Sequence, residues 1–160
     1  MRVIESRDLT ALSAQAAQLP RRRLNINLHA DSADSVQRMV IAFEPEAYIR
    51  PHRHSLQFET FVLLRGRGSL LSFAGDGIVD QRIELAEDGA RVVEIPAGIW
   101  HSLVSQAPGT LVVEVKPGPY RPTAESDFAA WAPSEGHADA GACRDWMRSC
   151  SVGDRFGSQK

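Results

Sequence analysis

The sequence has 160 residues, 43% hydrophobic and 24% charged, with a formal net charge of −2. That length suits one compact domain with a real core and no need of disulfides, and the near-neutral charge lacks the basic field that nucleic-acid binding requires. Neither the N-terminal segment nor any later stretch approaches the roughly 18 continuous apolar residues of a membrane span, and no signal-peptide core is evident. The expectation is a cytoplasmic protein with a small-molecule partner, no nucleic acid and no membrane.

In chain order, Leu9, Leu12, Ala16 and Leu19 form one stripe in SRDLTALSAQAAQLP. With Ser6 or Asp8 as N-cap and Pro20 as a stop, residues 1–20 are expected to hold a short helix. From 21 to 120 the pattern changes to short runs punctuated by Gly, Pro and Asp: LNINLH, VQRMVIAF, YIRPHRH, ETFVLLRG, GSLLSFAG, IVDQRIEL, ARVVEIP, SLVSQ and TLVVEVKP. Nine such runs with frequent turn signals predict an all-β domain, a small antiparallel barrel of two facing sheets. AGDG at 74–77 is a hairpin signal.

Residues 121–160 are expected to form a peripheral tail: a helical piece at ESDFAAWAP, the small-residue stretch SEGHADAGA, and GACRDWMRSC. If that last piece is helical, Cys143 and Cys150 lie about 10 Å apart along its axis, beyond the roughly 7 Å limit for a disulfide. Two free thiols in a reducing compartment are therefore expected. Arg outnumbers Lys sixteen to two, which fits forked contacts to carboxylates or phosphates without deciding for them.

The chemistry concentrates at YIRPHRHSLQFETFVLLRG, residues 48–66. Side chains alternate along a strand, so Tyr48, Arg50, His52 and His54 would share one face. Imidazole and carboxylate are the usual ligands of first-row divalent metals, and His-x-His supplies two at adjacent sites. Glu59, at the head of the next run, is the candidate third ligand. In EIPAGIWHS, Pro96-x-Gly98 makes a turn that aims His101 inward as a fourth.

These residues resemble the cupin motifs. His52, His54, Glu59 and Gly66 match the first, and Pro96, Gly98 and His101 fit the second. There are departures: Gly89 lies six rather than five residues ahead of Pro96, Glu46 stands where a Gly usually opens the first motif, and Ser105 replaces the closing Asn. None touches a ligand position. RLNINLH, VQRM, YIRPHRH, ETFVLLRG, VVEIPAGIWHS and VEVKPGPYRP, in that order, are further similar to the WbuC-type cupin metalloproteins over about residues 21–133. The resemblance implies a jelly-roll (double-stranded β-helix) barrel and one divalent transition metal ion per chain, with Fe, Mn, Ni, Co and Zn not distinguished. It also implies an association with bacterial surface-polysaccharide synthesis.

Around the metal, Tyr48 and Arg50 are substrate candidates because they share the ligand face; the resemblance adds Asn27 and His29. On residue pattern alone, Leu24, Ile26 and Leu28 would face the core and their polar neighbours the solvent. Glu114 and Lys116 share a face of the last run that reads as solvated, although Lys116, near Tyr120, is also placed to touch substrate. Gln57 and Glu94 are candidate partners of the ligand imidazoles. Three function classes share these ligands: a sugar or sugar-nucleotide isomerase or epimerase, an Fe(II) dioxygenase, and a non-catalytic module in which the metal stabilises a sugar-binding barrel. A homodimer, covering an edge strand, is expected.

Overall fold

The computed structural model describes residues 1–157. Helix α1 (Ser6–Ala16) is followed by eight strands: β1 (Arg23–Asn27), β2 (Val36–Phe43), β3 (Glu59–Arg65), β4 (Gly68–Phe73), β5 (Val79–Leu85), β6 (Val92–Ile95), β7 (Trp100–Ser105) and β8 (Thr110–Pro117). A single turn of 3-10 helix (Glu125–Asp127) and helix α2 (Ala140–Ser149) complete the chain. The N-cap of α1 is Glu5 rather than Ser6 or Asp8; Asp8 serves as its capping-box partner, accepting from the Glu5 N–H at 2.8 Å.

The strands form two antiparallel sheets, ordered β1-β2-β8-β3-β6 and β5-β4-β7. Between them lies a core of Phe43, Phe61, Leu63, Leu70, Leu103 and Val112, with further aliphatic residues around it. Their alternation along each strand is what puts them on the facing sides. The outer face of the larger sheet is covered by α1: Leu12 and Ala16 pack on Val40, Ala42 and Leu111. Leu24, Ile26 and Leu28 face a core as expected, the one beneath α1 rather than the one between the sheets. β1 has a helix behind it, and its apolar side turns to that helix.

The outer face of the smaller sheet is covered by α2. Ala140, Cys143, Met147 and Cys150 recur at helical spacing and pack on Leu71, Phe73, Val79 and Val104. The tail is thus one wall of the second core and not peripheral. Arg82 of β5 ties its end down by donating to the carbonyls of Met147, Arg148 and Cys150 at 2.9, 2.9 and 3.1 Å. Both cysteines are free and buried, and burial pushes the Cys143 thiol up to about 11.

Residues 48–54 are not a strand. Pro51 has no N–H for a ladder, and the segment has one bridged residue, His52, pairing with His101 and Phe128. Gly66 ends β3 with φ +85°, and a Cβ there would meet Thr110 Oγ1 at 2.7 Å. No helix among the described residues is long and apolar enough to cross a membrane.

Candidate metal centre

His101 is the second residue of β7, Glu59 opens β3, and His52 and His54 come from the segment between β2 and β3. All four reach one point at the end of the sandwich: each offers a ligand atom, and these atoms lie within 4.8 Å of one another. The backbones of His52 and His101 exchange hydrogen bonds in both directions, at 3.0 and 2.8 Å. Each ring also holds its Nδ1 2.9 Å from a carbonyl two residues earlier, that of Arg50 for His52 and that of Ile99 for His101. With Nδ1 engaged in this way, Nε2 of each ring is directed at the cluster. Backbone carbonyls therefore fill the orienting role expected of Gln57 and Glu94, which bond instead to Pro117 O and to Thr60.

Glu59 is 2% exposed. Its Oε2 lies 3.1 Å from His101 Nε2, and its Oε1 lies 3.0 Å from Lys116 Nζ and 3.3 Å from His54 Nε2. The last approach is close but misdirected, so His54 Nε2 is buried without a hydrogen-bond partner. A buried nitrogen aimed at a carboxylate and two other imidazoles, with nothing to donate to it, suits a cation among them. Ligand distances of about 2.0–2.2 Å imply donor separations up to roughly 4 Å, within small side-chain movements of those present. The donor set, three imidazoles and a carboxylate, is one for a divalent transition metal.

The electrostatics agree. Burial and the neighbouring His101 hold His52 down at about 3, so its ring stays neutral. Burial opposes the Glu59 charge, but the His101 ring and the Lys116 ammonium outweigh it and hold the carboxyl well below its usual range. Glu114 and Lys116 lie on the inner face of β8, not on a solvated one, with Lys116 Nζ 2.7 Å from Glu114 Oε1. Burial and the Glu59 charge raise Glu114 to about 8. Burial would lower Lys116, but Glu114 and Glu59 hold it up.

These groups share a chamber of about 130 Å³ whose other walls include Phe61, Leu103 and Thr123. Of the substrate candidates, Lys116 is the one this chamber contains. The Tyr48 hydroxyl donates to Pro133 O at 2.8 Å, and Arg50 donates to Ala132 O and pairs with Glu125 at 2.9 Å, so both engage the tail. His29 is buried against the Arg38 backbone, Asn27 is exposed on the edge strand, and Tyr120 is 56% exposed. Glu114 is the residue that sequence reasoning missed; its pairing opposite Phe61 of β3 was the signal, visible once register is known.

The fold is one shared with solved cupin proteins. Among solved structures, the protein TT1209 from Thermus thermophilus superposes with a TM-score of 0.52 at 18% identity, covering 73% of this chain and 97% of that one. A cupin superfamily protein from Desulfitobacterium hafniense does so at 0.52 and 17%, covering 73% and 95%. KdgF from Halomonas sp. gives 0.51 and 15%, covering 65% and 85%. These likenesses concern the fold. Residues 4–85 match the family model "Domain of unknown function (DUF6016)", and the chain belongs to that family. A search of curated proteins returns no match.

Proposed function

We propose that this chain is a mononuclear metal-dependent enzyme that isomerises or epimerises a small polar substrate, with His52, His54, Glu59 and His101 as the ligands. One observation carries the reading. Four donor atoms within 4.8 Å share a chamber with a Lys116–Glu114 pair that touches the same carboxylate. A divalent ion there would polarise a carbonyl or hydroxyl of the substrate. The adjoining pair offers groups to take up and return a proton, which favours isomerisation over the dioxygenase alternative. The likeness of the motifs to WbuC-type cupins supports a sugar or sugar-nucleotide intermediate of surface-polysaccharide synthesis as substrate; a cytoplasmic setting and a homodimer that covers an edge strand complete the proposal.

The test is elemental analysis of protein purified without added metal or chelator, alongside His52→Ala and His101→Ala. About one equivalent of a transition metal, lost in both variants, is expected. An iron content would direct the next assay to oxygen uptake, any other metal to sugar isomerisation. A wild type that holds no metal, and gains none on dialysis against Fe, Mn, Ni, Co or Zn, refutes the reading.

A further inference from the structure

The chamber at the His/Glu cluster, about 130 Å³, is near the size of an engineered cavity that accommodates benzene. It cannot enclose a whole sugar derivative beside an ion, so a larger substrate must extend out of it. The sheet offers a direction. β1 pairs with β2 so that Arg23, Asn25 and Asn27 stand opposite Phe43, Ile41 and Met39, and β2 pairs with β8 so that Ile41 and Met39 stand opposite Val112 and Glu114. Directly paired residues share a face, so the polar side chains of β1 lie on the same concave face as Glu114. The three-stranded sheet has fewer strands than the one it covers, and over β1 the concave face opens into a groove of about 540 Å³.

Ile41, Ile49 and Glu114 line both the groove and the chamber. Glu114 therefore stands at the junction of the two. The groove is lined by the apolar Leu19, Pro20, Ile41 and Ile49 and by the polar Arg21, Arg23 and Asn25. Glu135 holds the two guanidiniums in place, at 3.0 Å from Arg21 and 2.5 Å from Arg23, and Arg23 also donates to Tyr48 O. Amide, guanidinium and carboxyl groups beside aliphatic side chains are the chemistry that binds vicinal hydroxyls: donors and acceptors for the oxygens, apolar surface for the carbons.

We propose that the concave face of β1 is the outer half of the substrate site, with Asn25 as a specificity-determining residue for the polyhydroxylated tail of a substrate whose reacting end passes Glu114 to the His/Glu cluster. The inference rests on the metal-enzyme reading above and adds where, and by what chemistry, the rest of the substrate is held.

Glycolate, glycerate and gluconate test it. They share an α-hydroxycarboxylate head and differ in the length of the polyol tail. Each is titrated into cobalt-loaded protein, with the visible spectrum of the ion as readout. Gluconate is expected to bind at least tenfold more tightly than glycolate, with glycerate between. In Asn25→Trp, which fills the groove from an exposed edge-strand position, gluconate should fall to within about twofold of glycolate, whose own affinity is unchanged. The unchanged glycolate affinity reports that the variant is folded, and Asn25→Leu provides a milder second substitution with a smaller loss in the same direction. Failure to take up cobalt overturns the metal reading and this one with it. Cobalt uptake and glycolate binding without a gluconate advantage, or an advantage that survives both substitutions, overturns the groove alone.

Discussion

Replacing Met147 by Ala tests whether the C-terminal helix is part of the folded core. Met147 is 0% exposed and packs among Leu71, Phe73, Val79 and Val104 of the smaller sheet. The substitution removes three heavy atoms beyond Cβ, worth about 2 kcal/mol at roughly 0.8 kcal/mol per buried methylene-sized group. The neighbours cannot close the gap fully, since Arg82 pins this end of α2 through the carbonyls of Met147 and Arg148, so a cavity penalty adds to the transfer loss. The expected total is about 2–4 kcal/mol, within the range for buried Met to Ala. Urea unfolding of wild type and variant, followed by far-UV circular dichroism, measures it as a fall in midpoint at constant slope. A loss below about 0.5 kcal/mol would mean that the tail lies loosely on the sheet in solution, and the account of the second core would be wrong.

Gly66→Ala should cost about 1–3 kcal/mol in the same assay, because φ is +85° and the new Cβ would meet Thr110 at 2.7 Å; a neutral change would contradict that tight turn. Chelator-treated protein should be most stable near pH 5–6. His52 is lowered to about 3 in the fold, so the unfolded chain binds the extra proton between about pH 6.5 and 3 and stability falls on acidification; the depressed Glu59 acts in the same direction. Glu114 is raised to about 8, so the folded chain holds the extra proton above the usual carboxylate range and stability falls as pH climbs towards 8. Thermal melts across this range should show both limbs. Glu114→Gln should flatten the alkaline one, and a wild-type curve level from pH 6.5 to 8 would refute the assignment. Saturating metal at about 100 times its Kd should raise stability by about 2.7 kcal/mol in wild type and not in His101→Ala, read as a shift in Tm.

Much of the fold was legible because strand alternation and Gly- or Pro-marked turns are local signals; β2 to β6 and β8 fall within the runs read from the sequence, while β7 starts two residues ahead of SLVSQ. The exception, YIRPHRH, shows the limit. Its composition suits a strand, but Pro51 and the bridge from His52 to β7 of the other sheet take it out of the ladder, and alternation then no longer groups Tyr48 and Arg50 with the two histidines. The cluster itself was legible because histidine pairs and a carboxylate at motif spacing are rare by chance. The faces of β1 and β8 were not. TLVVEVKP has apolar residues on both sides, since Val113 packs towards α1 and Val112 towards the other sheet. Only register tells which side Glu114 and Lys116 share. The α2 stripe of Ala, Cys, Met and Cys is interleaved with charges, and its burial depends on a sheet face far away in sequence.

The paired backbones of His52 and His101 carry one more implication. Residues 49 positions apart in sequence are held by two reciprocal hydrogen bonds and have their rings set by carbonyls, all of it main-chain geometry. The cage is thus assembled by folding, before any ion arrives. A zinc finger spends much of its ion's affinity on ordering the chain; here little ordering is left to do, so affinity and choice of metal rest on the small adjustments of His54 and Glu59. Exchange of one metal for another should leave the barrel standing, and the chain would keep its shape while its chemistry changed with the ion it was given.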